Sequence, residues 1–189
     1  MQALLISTVS VAIAEIGDKT QLLALLLAAR FRQPVPIAAG ILVATLCNHA
    51  LAGWLGVLLA DTVPDWLLRW LLVAAFLAVA AWALVPDRLD AAPQDRGSHG
   101  VFLTTLIAFF LVEMGDKTQV ATVVLAARFD SLWQVVAGTT LGMLVANLPL
   151  IWLGNHFADR LPLRAARWAS AALFAAMAIW IAGSGFGGI

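Results

Sequence analysis

A motif of six residues that combines acidic, basic and hydroxyl side chains occurs twice in the chain. Residues 15–20 read EIGDKT and residues 113–118 read EMGDKT. Both copies lie within long apolar runs. A charged residue at the centre of a membrane helix costs roughly 2.5–3.5 kcal/mol on insertion scales, so six of them, unpaired and dry, would cost on the order of 15 kcal/mol. A chain that keeps the same charges twice in such surroundings is expected to use them on an ion.

The oxygen donors of the two motifs predict a hard divalent cation as the ligand. Two Glu, two Asp and two Lys sum to −2, which one divalent cation would neutralise. Carboxylate oxygens suit Mg²⁺, Ca²⁺ and Mn²⁺ better than Zn²⁺ or Cu⁺. Carboxylates must lose their protons to bind metal, so metal and protons compete for them. We therefore expect cation/proton exchange, and the candidate metal ligands are Glu15, Asp18, Glu113 and Asp116.

Further polar residues could assist these carboxylates. They lie either beside the motifs or at related places in the apolar segments that follow, and they are Thr20, Gln21, Thr118, Gln119, Lys19, Lys117, Asn48, His49 and Asn147. The lysines are either ligand-site residues or counterions. Asn48, His49 and Asn147 either line a cation path or join helices by hydrogen bonds. The sequence leaves these alternatives open.

The motif also allows a purely structural interpretation. On a continuous helix Glu15, Asp18 and Lys19 share one face, because residues three and four apart are neighbours. Glu15–Lys19 and Glu113–Lys117 pairs would then hold each helix, with the aspartates tying neighbouring helices. The motif glycines, Gly17 and Gly115, would either let another helix approach or let their own helix open.

Composition identifies an integral membrane protein. The 189 residues are 62% hydrophobic and 12% charged, with a mean hydropathy of +0.94, whereas soluble domains are about half apolar and a quarter charged. The net charge of zero provides no basic face for nucleic acid. The single cysteine, Cys47, excludes an internal disulfide and is expected to pack as a small apolar residue. No cofactor is expected beside the transported ions.

The chain is two copies of one unit at an offset of 98 residues, without a gap. Besides the motifs, the matching pairs include Ala28-Ala29-Arg30-Phe31 with Ala126-Ala127-Arg128-Phe129, Gly40 with Gly138, Trp54-Leu55-Gly56 with Trp152-Leu153-Gly154, Phe76 with Phe174, and Trp82 with Trp180. We expect one membrane domain made of a first repeat over 1–92 and a second repeat over 93–189.

Each repeat is predicted to form three helices, since a span needs about 20 apolar residues. The expected spans are about 2–29, 35–60, 66–85, 101–127, 132–157 and 166–186. A unit with an odd number of spans enters the membrane from opposite sides when it is repeated. The predicted fold is therefore all-α, with six transmembrane helices as two inverted three-helix repeats, as in many secondary transporters.

Arginine positions predict the orientation of these spans. With both termini outside, the inner loops carry seven arginines (30, 32, 88, 96, 160, 164 and 167) and the outer loops carry only Arg69 and Arg128. The positive-inside rule therefore places both termini outside and the linker Pro86–Gly100 in the cytoplasm. No Lys or Arg precedes the first apolar stretch, so it is expected to be an uncleaved helix and not a signal peptide.

The doubled Glu-φ-Gly-Asp-Lys/Arg-Thr/Ser motif in a six-span chain resembles the second cation-antiporter family. These are small exporters of Mn²⁺ and Ca²⁺ with eukaryotic Golgi and chloroplast relatives. The resemblance covers essentially all 189 residues, and both motifs match at every position. It implies secondary-active transport of a divalent cation in exchange for protons, with metal bound by Glu15, Asp18, Glu113 and Asp116.

The resemblance to short bacterial-type members favours Mn²⁺ export across a bacterial inner or plasma membrane. The expected mechanism is alternating access around one site at the midplane. Two other classes of function are weaker. A structural or assembly subunit with buried ion pairs would need the acidic residues only for folding. An intramembrane acid/base enzyme finds no support, because the chain has neither HExxH nor GxSxG. The expected partners are the cation and the lipid bilayer; homo-oligomerisation is left open.

Overall fold

Helices account for all the regular structure in the computed structural model, which describes residues 1–86, 100–129, 131–153 and 163–183. Within these ranges the chain forms eight α-helices and no β-strand. They are α1 (Gln2–Glu15), α2 (Lys19–Phe31), α3 (Pro34–Thr62), α4 (Asp65–Ala83), α5 (Val101–Glu113), α6 (Lys117–Arg128), α7 (Leu132–Leu153) and α8 (Leu163–Gly183). Most of the predicted cytoplasmic linker and the end of the span predicted at 132–157 lie outside the described residues, as do His99 and His156.

Four helices are long and apolar enough to cross a membrane, which agrees with an integral membrane protein. Their apolar segments are Pro34–Thr62, Asp65–Ala83, Leu132–Trp152 and Arg164–Gly183. They correspond to the second, third, fifth and sixth predicted spans. Cys47 was expected to pack as a small apolar residue, but it lies exposed on α3.

The first and fourth predicted spans are not continuous helices. The chain breaks between α1 and α2 and again between α5 and α6, in both cases within the repeated motif. Gly17 has φ +82° and Gly115 has φ +74°, a left-handed conformation that a helix cannot continue through. Glu15, Asp18 and Lys19 therefore do not share one helix face, and that prediction is wrong. Of the two roles left open for the glycines, the structure shows the opening of the helix.

The broken helices are held by the long helices of the opposite repeat. α1 packs against α7, and its counterpart α5 packs against α3. A Cβ atom on Gly138 would lie 2.5 Å from the carbonyl oxygen of Leu4, and one on Gly40 would lie 2.7 Å from Cβ of Thr105. These glycines occupy equivalent places in the two repeats, so the same close approach is used twice. It fixes α1 and α5 against the interior.

The third helices of the two repeats pack on each other. α4 and α8 are neighbours, and the stacked rings of Phe76 and Phe174 have centroids 5.9 Å apart. These phenylalanines are equivalent in the two repeats, so the contact is one that an internal two-fold axis would produce. α1 packs on α7 and α5 packs on α3, each in the opposite repeat, so these contacts also fit an internal two-fold axis. The number of spans and their inversion remain predictions.

The two repeats differ at the ends of α2 and α6. Ala127 and Phe129 at the end of α6 are buried, whereas their counterparts are exposed (Ala29) and half-buried (Phe31). α6 packs against both α3 and α4. The contact with α3 is very close: a Cβ atom on Gly56 would lie 2.2 Å from the carbonyl oxygen of Val123. The internal symmetry is therefore broken, because the end of α6 is packed against its neighbours and the end of α2 is more exposed.

Candidate metal-binding site

The two helix breaks bring the acidic residues of the motifs into the interior. Glu15 is the last residue of α1, and Asp18 precedes α2 as its N-cap, where Oδ1 accepts the N–H of Lys19 at 2.7 Å. Asp116 holds the same cap position before α6, with nearly the same backbone angles. Each aspartate lies at a helix N-terminus, whose dipole stabilises a negative charge. All three carboxylates are fully buried.

Three carboxylates from the two motifs converge. Glu15, Asp18 and Asp116 each offer an oxygen, and these oxygens lie within 4.8 Å of one another. Hard cations take oxygen ligands at 2.0–2.6 Å. Two ligands on opposite sides of one ion are therefore about 4–5 Å apart. Three of the four predicted ligands thus have the spacing that one hard cation requires.

The motif lysines form ion pairs across the two halves. Nζ of Lys19 lies 3.1 Å from Oδ1 of Asp116, and Nζ of Lys117 lies 3.3 Å from Oδ1 of Asp18. The structural interpretation paired each lysine with the glutamate of its own motif, whereas the observed pairs join each lysine to the aspartate of the other motif. Its second element, aspartates that tie neighbouring helices together, agrees with the observed pairs.

The fourth predicted ligand, Glu113, lies outside the three-carboxylate group and contacts α3. Its Oε1 atom lies 2.9 Å from Nε2 of His49, and its Oε2 atom lies 3.4 Å from both Nδ2 of Asn48 and Oγ1 of Thr45. All four residues are fully buried. Thr45 was not singled out from the sequence, although its position one helical turn before His49 is a usable signal.

The threonines of the motifs contact the carboxylates directly. The hydroxyl of Thr20 donates a hydrogen bond to Oε2 of Glu15. The hydroxyl of Thr118 donates to Oδ2 of Asp116 at 3.4 Å. Both threonines are fully buried. They hold two of the three converging carboxylates in place.

The glutamines brace the helix breaks. Oε1 of Gln21 accepts the N–H of Gly17 at 2.8 Å, and Oε1 of Gln119 accepts the N–H of Gly115 at 2.6 Å. Gln21 also donates to the carbonyl oxygen of Ala146 at 2.9 Å. The amide oxygens of both glutamines are thus engaged with the backbone of the left-handed glycines.

Asn147 is buried in α7 and turns onto its own helix. Its Nδ2 atom donates to the carbonyl oxygen and to Sδ of Met143, each at 3.0 Å. His49 occupies the equivalent place on α3 but contacts Glu113 of the other repeat. Of this equivalent pair, the structure brings only His49 to a motif carboxylate.

The charges of the assembled site favour a divalent cation. Four carboxylates and two lysines sum to −2 with His49 neutral, and every carboxylate is buried. Buried charges need partners, and the two lysines balance only two of the four. The remaining charge is matched by one divalent cation or by two protons. The arrangement can therefore hold a hard cation and release it when protons replace it.

Comparison with known proteins identifies relatives over the whole of both repeats. A family model described as "Divalent cation/proton antiporter GDT1" matches residues 3–91 and 101–188. A protein of Vibrio cholerae serotype O1 named "Putative manganese exporter" is 52% identical over 180 residues, covering 95% of this chain and 90% of the relative. A GDT1-like protein of Synechocystis is 26% identical over 175 residues, covering 80% of this chain and 82% of that protein. No solved structure matches this chain.

Proposed function

The chain belongs to the GDT1 family of divalent cation/proton antiporters, and on that premise we propose that it exports Mn²⁺ in exchange for protons. The family is one of transporters and not of enzymes, and transport of a divalent cation follows from membership. The name of the Vibrio relative supports Mn²⁺ as the cation, and its bacterial source supports a plasma membrane as the location. The observation that carries the proposal is the convergence of Glu15, Asp18 and Asp116 from both motifs.

In the proposed reaction the carboxylates bind either the metal or protons. Mn²⁺ binds the deprotonated oxygens of Glu15, Asp18 and Asp116, which converge, and Glu113 serves as the fourth ligand. Thr20 and Thr118 orient two of these carboxylates through their hydroxyls. Protons that enter from the opposite side displace the metal, since protonated carboxylates no longer bind it. Inward proton flow thereby drives Mn²⁺ outward.

Alternating access provides the route by which one site faces both sides. In the proposed arrangement of six spans as inverted repeats, the two halves rock against each other around the carboxylates. The unequal burial of Ala29 and Ala127, which are equivalent in sequence, supports two conformations with exchanged packing. The positive-inside rule favours termini outside and a cytoplasmic linker, and both assignments remain predictions.

Purified protein in liposomes tests the proposal. Vesicles contain a dye that responds to Mn²⁺ or Ca²⁺, the pH gradient is varied, and a second dye reports internal pH. We expect divalent uptake that grows with an outward-directed proton gradient, accompanied by proton loss from the vesicles. Protein-free vesicles are the control. Uptake equal to that of the control at every gradient would reject transport, and uptake without proton movement would reject exchange.

A further inference from the structure

The two repeats have diverged where α3 and α7 face the interior, although their motifs keep the same charged residues. The α3 residues around Glu113 are Thr45, Asn48 and His49, and their equivalents on α7 are Met143, Ala146 and Asn147. α3 thus presents a hydroxyl, an amide and an imidazole to a motif glutamate. The equivalent set on α7 has a thioether, a methyl group and an amide that turns onto its own helix. The histidine is therefore a feature of one half only.

The contact between His49 and Glu113 has the spacing of two ligands on one ion. Nε2 and Oε1 are 2.9 Å apart, yet they lack the alignment of a hydrogen bond. Nδ1 of His49 also has no hydrogen-bond partner among the residues that the structure describes, and the side chain is fully buried. Two ligand atoms bound at right angles to an octahedral ion at about 2.1 Å lie about 3 Å apart.

We propose that His49 binds the transported cation together with Glu113, and that its nitrogen makes the protein prefer Mn²⁺ to Ca²⁺. This inference rests on the proposed function and adds a determinant of cation choice to it. Ca²⁺ takes oxygen ligands almost exclusively, whereas imidazole nitrogen binds first-row transition metals. Carboxylates alone accept both ions. A single buried imidazole therefore raises the affinity of the site for Mn²⁺ relative to its affinity for Ca²⁺.

The first test detects the nitrogen on the metal. Purified protein is loaded with Mn²⁺ alone, and pulsed electron paramagnetic resonance measures the coupling of the ion to nitrogen. We expect ¹⁴N coupling in the native protein and its loss in His49→Asn, which copies the residue of the other repeat. His99→Asn and His156→Asn are matched controls, because they remove the other two histidines of the chain. Coupling that persists in His49→Asn would overturn the proposal.

The second test measures cation choice in liposomes. The ratio of Mn²⁺ to Ca²⁺ uptake should fall at least about 10-fold in His49→Asn, since even residues that only orient a metal ligand change affinity 10–100-fold. His49→Gln keeps a longer polar side chain and should show the same shift if the asparagine variant folds poorly. An unchanged ratio in a folded variant would overturn the proposed role of His49 but would leave the proposed transport function standing. Absence of divalent uptake by the native protein would instead overturn the proposed function.

Discussion

At the scale of residues, the centre of the molecule depends on charges exchanged between its halves. Asp18 is paired with Lys117, and Asp116 is paired with Lys19. A buried ion pair contributes little net stability, but the loss of one partner leaves an uncompensated buried charge. The main role of the lysines is therefore to compensate the buried charge of the aspartates that would hold the cation. Their exposure differs, because the side chain of Lys117 is 4% exposed and that of Lys19 is 23% exposed.

We expect Lys117→Met to destabilise the protein more than Lys19→Met. Removing one partner of a buried pair costs about 3–5 kcal/mol, and the cost should be smaller for Lys19 because its side chain is less completely buried. Thermal unfolding in detergent measures the difference. Mn²⁺ should raise the unfolding temperature of Lys117→Met more than that of the native protein, because the cation replaces the missing positive charge. Equal unfolding temperatures for the two variants would contradict this assignment.

We expect Glu15→Gln and Glu113→Gln each to abolish Mn²⁺ transport while the protein still inserts. Each change removes one negative charge and one proposed ligand group from the buried site but keeps the size of the side chain. Liposome uptake and the yield of folded protein are measured together. Asp61→Asn is the control, since Asp61 is an exposed carboxylate near the end of α3. Lost expression with normal transport by the surviving protein would favour the structural role instead.

The sequence singled out four acidic residues, three of which the structure brings together, but it did not predict how they meet. The repeat and the cost of charge in an apolar run identify the four acidic residues. Spacing along the chain, however, reveals only local neighbours, such as Glu15 and Lys19. The pairs Lys19–Asp116 and Lys117–Asp18 depend on how the two halves are placed, which no local pattern encodes. The separate position of Glu113 beside α3 was missed for the same reason.

At the scale of elements, the broken helices determine where the proposed metal ligands lie. The four long helices followed from hydropathy and length, but the breaks in the first and fourth predicted spans did not. Their signals were present, because glycine often ends a helix and aspartate often begins one. The long apolar run around each motif favoured one continuous helix instead. The opened helix places Asp18 and Asp116 at the N-cap positions of the helices that follow, and the side chain of Asp18 accepts the N–H of Lys19 there.

We expect Gly115→Ala to destabilise the second break by about 1–2 kcal/mol, since a left-handed conformation carries that penalty for residues with a Cβ atom. The space is open, with nothing within 4 Å of the added Cβ, so any effect comes from the backbone alone. Gly115→Asn should be milder, because asparagine tolerates this conformation. Thermal unfolding and Mn²⁺ uptake are the measurements.

Gly183→Ala is the matched control for this prediction. An added Cβ there also has nothing within 4 Å, and Gly183 lacks a positive φ. It should leave both stability and transport unchanged. If Gly115→Ala behaves like Gly183→Ala, the left-handed break is not required for the site.

At the scale of the whole molecule, equivalent helices have unequal surroundings. The end of α6 is closed by a ring contact, with Phe129 and Trp180 centroids 6.2 Å apart and the guanidinium of Arg128 4.8 Å from the ring of Trp180. The equivalent residues Phe31 and Trp82 are partly exposed, with Trp82 at 38%. The same three residue types therefore occur in both repeats, and the tight packing occurs at one end.

We expect the packed end and the exposed end to exchange during transport. Because Trp180→Ala removes the ring contact at the end of α6, it should open that end and favour closure at the end of α2. Cysteines at Ala29 and Ala127, in a Cys47→Ala background, report the two ends through labelling by a membrane-impermeant thiol reagent. With both tryptophans present, Ala29→Cys should react faster than Ala127→Cys, because Ala29 is exposed and Ala127 is buried. Trp180→Ala should speed labelling at 127 and slow it at 29, since one end closes as the other opens.

Trp82→Ala is the matched control, because it removes the equivalent ring from the other repeat. It should act in the opposite direction, slowing labelling at 127 or leaving it unchanged. Faster labelling at both ends in Trp180→Ala would mean that the bundle has only loosened. A rise at one end with a fall at the other requires two alternative packings of the same sequence. Only such a pair of states lets one buried carboxylate site exchange its cation with both sides of a membrane without a continuous pore.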